Sequence, residues 1–325
     1  MKYYLALDNG GTKTAAILYN EKLDRISVCV SGSLRSNTNN AALVDKHIKD
    51  IADGLDLYGK TVEELNGTYE SSVTEKLGRI CKIKNAAVSG ELDMGLSAAG
   101  IFGDGLLALC GTGATSFARI NGKKLFTGGY GAAVADEGSG YYIGRSAFIA
   151  AIRDREGRGE RTSLTDKIPQ KLGFKGREEL QRAIFSIYGK PDVSPVTQVS
   201  GFAPLVIAAA SEGDEVSLSI IKEAGRLAGE QMRYLTESNN IKNDVPLTVS
   251  GSIWRGNPVF FKEFEKVING RKIIIPKIEP ILGVLAAHKK KATGSFDEHD
   301  AKELAQRYPE FKYDINENKE TKNVT

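Results

Sequence analysis

The residues from Asp8 to Thr14 carry groups that suit the binding of a phosphate and a metal ion. Adjacent glycines allow backbone N–H groups to converge on one anion, and two threonine hydroxyls add further donors. The carboxylate of Asp8, at the end of a predicted strand, can hold Mg²⁺ directly or through water. The segment therefore predicts a phosphate-binding turn formed by Gly10, Gly11, Thr12, Lys13 and Thr14. A tight hairpin turn without a ligand is the alternative, because Asn-Gly is also a strong hairpin signal.

Two further turns of small residues follow predicted buried strands. The strand Gly105–Cys110 ends in a second turn that also suits phosphate, made of Gly111, Thr112, Gly113 and Ala114. A strand at residues 246–249 runs into Gly251 and Ser252, whose small size would let a flat ring lie against the backbone. Each of these turns is, on its own, equally compatible with an ordinary connection. Three of them at strand ends in one chain favour a nucleotide site.

The elements that must position these turns alternate between strands and helices. Residues 2–20 predict a β-hairpin, and residues 26–30 predict a third strand that gives the sheet an antiparallel start. Residues 41–57 have apolar side chains at helical spacing, and residues 145–235 are largely helical. A last helix follows Pro280. With 325 residues, the chain is long for one compact core and sufficient for two α/β domains.

Charge and composition exclude several classes of function. The 44 basic and 41 acidic residues nearly cancel and form no long basic run, so we expect no nucleic-acid partner. No uninterrupted apolar stretch reaches the length of about 18 residues that a membrane span needs, so no membrane association is predicted. The first residues lack the apolar run of a secretory leader, and the expected compartment is the cytoplasm. The isolated cysteines predict neither a disulfide framework nor a metal cluster.

The motifs of this chain, taken as a set, resemble those of a known family. The sequence contains, in this order, DNGGTKT, LCGTGATSFA, GGYGAAVADEGSGYYIGRSA, FAPLVIAAASEGD, VSGSIW and EPILGVLAA. The set is similar to that of the N-acetylglucosamine kinase and BadF-type ATPase family, within the sugar-kinase/Hsp70/actin superfamily. The resemblance covers roughly residues 1–40 and 90–290, and the segment from Gly128 to Gly144 is its most specific part.

The resemblance implies an α/β fold of two similar ribonuclease-H-like lobes, each with a mixed sheet, and an interdomain cleft for the ligand. A phosphate-binding lobe would span residues 1–117 and be joined by the C-terminal helix 281–291. A nucleotide and sugar lobe would span residues 118–280, and a polar tail residues 292–325. The implied activity is phosphorylation of an amino sugar such as N-acetylglucosamine by ATP, with Mg²⁺. Proteins that resemble this chain are usually homodimers.

The family's binding roles fall on matching residues of this chain. Asp8 corresponds to the carboxylate that holds the metal or its water, and the first two glycine turns correspond to the phosphate loops. The adenosine loop corresponds to Gly251 and Ser252. The positions that contact the sugar correspond to Asn37, Gly129 and Asp136. A plain surface loop is the alternative for Asn37, and the dipole of a following helix would also favour an acid at Asp136.

The catalytic base is the place where the sequence departs from the family. The family has an aspartate at a strand end before the second phosphate turn, and here the segment from Val88 reads VSGELDMGL. By register, Glu91 occupies the expected place and Asp93 follows two residues later. A carboxylate within reach of the attacking hydroxyl can accept its proton. Glu91 is therefore the first candidate and Asp93 the second, while ordinary acids at a helix start are the alternative for both.

A second departure leaves the substrate open. Residues 58–85 match the family poorly where a strand and a glycine turn usually contact the sugar, and residues 65–68 resemble a remnant of that strand. Two alternatives to a sugar kinase follow: a BadF-type ATPase switch without an iron–sulfur cluster, and a degenerate protein that binds nucleotide or sugar without turnover. An iron–sulfur cluster needs closely placed thiolates, which Cys29, Cys81 and Cys110 do not supply in sequence.

Overall fold

The computed structural model describes residues 1–36, 39–132, 134–189, 193–268 and 270–317. The predicted sugar contact Asn37 lies outside these residues. The chain forms two compact units. The first unit comprises the described residues of 1–107, 119–123 and 273–314, and the second comprises those of 108–118, 124–272 and 315–317.

The secondary structure alternates between strands and helices in most of the chain. The strands are β1 Tyr3–Asn9, β2 Lys13–Asn20, β3 Arg25–Gly32, β4 Thr61–Thr68, β5 Lys82–Val88, β6 Gly105–Cys110, β7 Ala114–Ile120, β8 Lys123–Gly128, β9 Leu247–Ser250 and β10 Ile273–Ile274. The α-helices are α1 Ala41–Leu55, α2 Ser71–Gly78, α3 Gly90–Ala98, α4 Gly140–Arg155, α5 Leu164–Lys171, α6 Leu180–Tyr188, α7 Pro195–Ser200, α8 Ala203–Ser211, α9 Glu215–Ser238, α10 Pro258–Val267, α11 Pro280–Thr293 and α12 Glu298–Arg307.

The two five-stranded sheets repeat one strand order. The first sheet has the order β3-β2-β1-β4-β5, in which β1, β2 and β3 pair antiparallel while β4 and β5 continue in parallel. The second sheet, taken from the matching edge, has the order β8-β7-β6-β9-β10. This repeated topology confirms the predicted α/β class with two similar ribonuclease-H-like lobes. The poorly matching segment 58–85 supplies β4, α2 and most of β5.

Strands β1 and β2 at the centre of the first sheet are largely buried on both faces, and their successive side chains point in opposite directions. Leu5 and Leu7 pack into a core that α1 covers, whereas Ala6 and Ile17 pack into a second core with α11. The first turn of α1 is capped by Asn40, whose side chain accepts a hydrogen bond from the Leu43 amide at 2.9 Å. The end of β1, where Asp8 lies, is thus held from both sides.

The chain after α11 also contributes to the first unit. Leu304, Tyr308 and Phe311 are buried in the same core as Ile17. The hydroxyl of Tyr308, which is fully buried, donates to the Leu23 carbonyl at 3.0 Å. The segment predicted as a polar tail from residue 292 therefore carries apolar residues that complete a core, which its overall polarity conceals.

The second unit places its two glycine turns at the ends of strands β6 and β9. Helix α4 begins beside the first of these turns, and α9 and α10 pack against each other. Apolar side chains of these helices, among them Ile143, Ala224, Met232, Phe260 and Phe264, are fully or almost fully buried. Within the described parts of the chain, no helix combines the length and the apolar character that crossing a membrane requires.

Candidate functional site

The buried side chain of Asn9 holds the first predicted phosphate turn in place from the protein interior. Its Oδ1 accepts hydrogen bonds from the Thr14 hydroxyl and from the Leu34 amide, both at 2.9 Å. The Gly10 amide donates to the Lys13 carbonyl at 2.9 Å and closes the turn. Thr14 is fully buried, so its hydroxyl supports the turn from inside. The residues of the turn with exposed side chains are Thr12 and Lys13.

Asp8 lies in a cluster of carboxylates within the first unit. Burial, together with the negative charges of Glu91 and Glu279, raises the pKa of Asp8 from 3.8 to about 7. The positive charges of Lys13 and Arg35 act in the opposite direction and are too weak to cancel this effect. Oxygen donors with excess negative charge suit a hard divalent cation. The carboxylate of Asp8 alone therefore suits Mg²⁺ as a single ligand.

The structure brings Glu91, the first candidate base, to this cluster. Glu91 lies in the first turn of α3, and its Oε1 lies 2.8 Å from Nη2 of Arg35. The side chains are 29% and 35% exposed, so the ion pair is partly shielded from water and still reachable by a ligand. The carboxylate of Glu91 thus lies near Asp8, at the start of the first predicted phosphate turn.

The second candidate base, Asp93, is committed to a different set of contacts. Its Oδ1 lies 3.0 Å from Nη1 of Arg119. The same guanidinium donates to the carbonyls of Ile101 and Gly103 at 3.2 and 2.6 Å. Asp93 therefore helps to hold the connection between α3 and β6.

The second predicted phosphate turn, in the second unit, is anchored by the N-terminus of α4. The Gly140 amide donates to the Gly111 carbonyl at 2.8 Å, and the Tyr141 amide donates to the Thr112 carbonyl at 3.2 Å. The next helical amide, of Tyr142, donates to the Ser139 hydroxyl at 3.1 Å. The first helical N–H groups thus hold the turn itself.

The two predicted sugar contacts within the described residues lie against this same turn. A Cβ atom on Gly113 would lie only 2.8 Å from Oδ2 of Asp136, so the turn requires glycine here. Asp136 is 7% exposed and adopts a positive φ of 62°. The amide of Gly129, which is exposed, donates to the Ala114 carbonyl at 3.1 Å. Asp136 and Gly129 are therefore neighbours of the phosphate turn.

The predicted adenosine loop touches the second phosphate turn. Gly251 follows β9 with φ of 104°, and a side chain there would overlap the Cys110 carbonyl. Ser252, the next residue, is exposed. Trp254 is fully buried and packs edge-on against Phe260 at 5.0 Å between ring centroids. The loop is therefore anchored by the tryptophan on one side and by the backbone of β6 on the other.

Two charged residues that act on Asp8, Arg35 and Glu279, have no role in the prediction made from sequence. Arg35 lies two residues before Asn37, in the loop predicted to contact the sugar, and this proximity is the only signal that it offers. Glu279 precedes Pro280 at the start of α11, where the helix dipole alone explains an acid. A cavity of about 320 Å³ at the C-terminal ends of α9 and α10, lined by residues such as Arg233, Glu237 and Asn240, contains none of the predicted site residues.

Known proteins resemble this chain in both sequence and fold. The chain is 28% identical over 299 residues to an N-acetylmuramic acid/N-acetylglucosamine kinase of Clostridium acetobutylicum, covering 86% of this chain and 94% of the relative. It is 26% identical over 247 residues to an N-acetyl-D-glucosamine kinase of Dictyostelium discoideum, covering 68% and 75%. A crystal structure from Chromobacterium violaceum, described as that of a candidate N-acetylglucosamine kinase, shares the fold with a TM-score of 0.66 and 18% identity, over 89% of this chain and 99% of the other.

A family match identifies the chain. Residues 5–287 match the sequence model of the BadF/BadG/BcrA/BcrD ATPase family. The matched range includes the three glycine turns, Asp8 and Glu91, and it ends within α11. The protein is a member of the BadF/BadG/BcrA/BcrD ATPase family.

Proposed function

We propose that the protein is an ATP-dependent kinase that phosphorylates a hydroxyl group of an amino sugar, N-acetylglucosamine or a close relative. The family is one of ATPases, and the relatives from Clostridium acetobutylicum and Dictyostelium discoideum are amino-sugar kinases by name. The observation that carries the proposal is the placement of Glu91 next to Asp8, beside the first phosphate turn. A carboxylate in this place can accept a proton from a sugar hydroxyl or from water, and the names of the two relatives favour the sugar hydroxyl.

The nucleotide would be held mainly by backbone groups. The turns at Gly10–Lys13 and at Gly111–Ala114 follow strands and contain glycines, which would let the backbone approach the phosphates closely, and Lys13 adds a positive charge. Gly251 and Ser252 form a surface without bulky side chains on which the adenosine can lie. The contacts of Asn9 and of the α4 N-terminus keep the two phosphate turns rigid. Rigid donors need no reorganisation when charge develops on the transferred phosphoryl group.

Asp8 is the residue that we assign to Mg²⁺, directly or through a bound water. The ion would neutralise negative charge on the phosphates when it is bound. It would also relieve the repulsion that Asp8 experiences from Glu91 and Glu279. Oxygen-rich sites of this kind usually bind Mg²⁺ through one or two carboxylates together with water and phosphate.

Glu91 is the proposed general base, and Asp136, Gly129 and Asn37 are the proposed sugar contacts. Asp136 and Gly129 lie beside the phosphate turn at Gly113 and Ala114, so a sugar bound there would lie near the phosphate. A carboxylate such as Asp136 can accept hydrogen bonds from two neighbouring hydroxyls. We also propose that the protein acts in the cytoplasm, where ATP is supplied, and that it forms a homodimer.

The proposal is tested by measuring ADP release with ATP and Mg²⁺ and a panel of acceptors. The panel contains N-acetylglucosamine, N-acetylmuramic acid, glucose and a sample without sugar, and ³¹P NMR identifies the phosphorylated product. We expect ADP release that depends on an amino sugar, with one phosphorylated sugar formed per ADP. ADP release that is equal with and without every sugar would refute the kinase and favour an ATPase switch. No nucleotide turnover would favour a degenerate binding protein.

A further inference from the structure

The guanidinium of Arg35 forms an ion pair with the proposed base, Glu91. Nη2 of Arg35 lies 2.8 Å from Oε1 of Glu91, which is the distance of a charge-assisted hydrogen bond. No role follows for Arg35 from the family motifs. Both residues act on the pKa of Asp8, Glu91 raising it and Arg35 lowering it, so the pair lies beside the proposed metal ligand.

The backbone that carries Arg35 is tied to the first phosphate turn. The amide of Leu34 donates to Oδ1 of Asn9 at 2.9 Å, and Leu34 itself is 1% exposed. The hydroxyl of Ser33 donates to the Gly10 carbonyl at 2.8 Å and accepts from the Arg35 amide at 3.2 Å. Arg35 therefore has a fixed position relative to the turn that would hold the phosphates.

The backbone that carries Glu91 is fixed independently. Helix α3 begins at Gly90, and the preceding Ser89 amide donates to the Gly67 carbonyl of β4 at 2.9 Å. Met94 and Ala98 of α3 are buried in the core shared with α11. The ion pair thus joins two rigid segments. The glutamate side chain between them has one more rotatable bond than the aspartate that the family places here, and so it needs an additional contact to hold its carboxylate.

We infer that Arg35 is a positioning residue for Glu91, a role that rests on the proposed kinase function. The guanidinium holds Oε1 and leaves Oε2 to accept the proton of the acceptor hydroxyl. In the reaction, the hydroxyl oxygen forms a bond to the γ-phosphorus as the bond from that phosphorus to the β,γ-bridging oxygen breaks. The hydroxyl proton goes to Glu91, and ADP leaves. Since displacement of a reacting group by about 1 Å can lower the rate about a hundredfold, loss of this contact affects turnover more than binding.

A double-mutant cycle with Arg35→Gln and Glu91→Gln tests this inference. We expect R35Q to lower kcat about 10- to 100-fold, with the KM for ATP changed less than about threefold. In the E91Q background the same substitution should change the residual kcat by less than about twofold, because the group through which Arg35 acts is already lost. R35K, which keeps the charge, should recover part of kcat. Arg25→Gln is the matched control, because Arg25 forms an exposed ion pair with Glu310 in the same unit.

Three results would overturn the inference. The first is an R35Q enzyme with the kcat of the wild type and of R25Q. The second is an equal loss of kcat from R35Q in both backgrounds, which would mean that Arg35 contacts the phosphates or the sugar by itself. The third is a loss confined to the KM for ATP. A wild-type protein without sugar-dependent ADP release would instead refute the kinase function, and thermal melts of all variants identify any loss caused by unfolding.

Discussion

Arg119 binds Asp93 through Nη1, which lies 3.0 Å from the aspartate Oδ1. Glu91 and Asp93, the two acids that follow Val88, therefore have different surroundings. Glu91 acts on Asp8, whereas Asp93 is held by Arg119, which also binds the loop between α3 and β6. We therefore predict different results for the two neutral variants. E91Q should lower kcat about 10²- to 10⁴-fold, which is the usual contribution of a general base. D93N should keep kcat within about threefold of the wild type.

The same comparison predicts a difference in stability. D93N leaves the guanidinium of Arg119, whose side chain is 17% exposed, without its carboxylate. We expect a loss of about 1–3 kcal/mol in the free energy of unfolding, measured by urea denaturation. E91Q should lose less, because both members of its ion pair are more exposed. If D93N lowered kcat as strongly as E91Q while melting normally, Asp93 would be the base.

We predict that removing the charge of Asp8 raises the free energy of unfolding by an amount that depends on pH. Its pKa is raised to about 7 in the folded protein, above the value of about 3.9 in an unfolded chain. The folded state therefore binds more protons than the unfolded state between these values, and stability falls as pH rises through this range. Asp8→Asn removes the penalty. We expect D8N to exceed the wild type by about 1–3 kcal/mol at pH 8 without metal, and by much less near pH 5.

Asp53→Asn is a control variant for which the opposite change in stability is expected. Asp53 is exposed, and its hydrogen bonds with Lys49 and Tyr58 lower its pKa. Asp53→Asn should therefore lower stability slightly at pH 8, which is the opposite sign. Denaturation of D8N, D53N and the wild type at both pH values measures the effect. An advantage of D8N that is the same at pH 5 and pH 8 would mean that the charge of Asp8 is not its source. The gain should come with a loss of Mg²⁺-dependent turnover.

We predict that replacing Gly251 by alanine lowers both the stability of the protein and its affinity for the nucleotide. Its φ is 104°, and an alanine Cβ would overlap the Cys110 carbonyl at the edge of the second phosphate turn. Gly213 has a similar φ of 93°, but a Cβ atom there would meet no other atom within 4 Å, so G213A isolates the cost of the backbone conformation. We expect G213A to lose about 1 kcal/mol and G251A at least about 2–3 kcal/mol.

The effect of G251A on the KM for ATP should arise from displacement of the predicted phosphate turn at Gly111. Because Cys110 leads directly into Gly111, G251A should also raise the KM for ATP several-fold, whereas G213A should leave it unchanged. Thermal melts and initial rates at varied ATP measure both effects. Equal losses of stability in the two variants, with an unchanged KM for ATP in G251A, would show that the adenosine loop does not press on the phosphate turn.

The turns and the strands that deliver them could be predicted from the sequence because their signals are local. The residues around Asn9-Gly10-Gly11 specify a hairpin, and β1 and β2 pair on either side of that turn. The strand before Gly111 is a continuous apolar run, as the buried β6 requires. Such local signals indicate strands and turns, whereas the expectation of two ribonuclease-H-like lobes comes from the resemblance of the whole motif set to a known family.

The contacts between distant segments could not be predicted in this way. The pairing of Arg35 with Glu91 joins residues that are 56 positions apart, and no periodicity relates them. Thr14 has a hydroxyl suited to phosphate, yet its place in β2 turns the side chain into the interior, where Asn9 accepts its hydrogen bond. Glu279 raises the pKa of Asp8 because α11 packs against the sheet that carries Asp8, and the sequence does not show this packing.

The C-terminal segment gives the last prediction. Tyr308 follows α12, lies beyond the range matched by the family, and is fully buried in the core with Ile17 and Leu282. Tyr308→Ala should lower the free energy of unfolding by about 3–5 kcal/mol, and Tyr308→Phe by about 0.5–1.5 kcal/mol through loss of the bond to Leu23. Tyr234→Ala is the control, because that side chain is 64% exposed and should change stability by less than about 0.5 kcal/mol.

Activity should follow stability in these variants, because the segment also supports the site. The Glu279 amide donates to the Phe311 carbonyl at 2.8 Å, and Ile278 forms a β-bridge with Lys312. Loosening this segment therefore releases the backbone next to a carboxylate that acts on Asp8. We expect Y308A to lose turnover at temperatures below its melting point, while Y308F and Y234A retain it. A Y308A protein that melts like the wild type would show that the first unit does not need the C-terminal segment. The proposed role of this segment in holding Glu279 would then also be wrong.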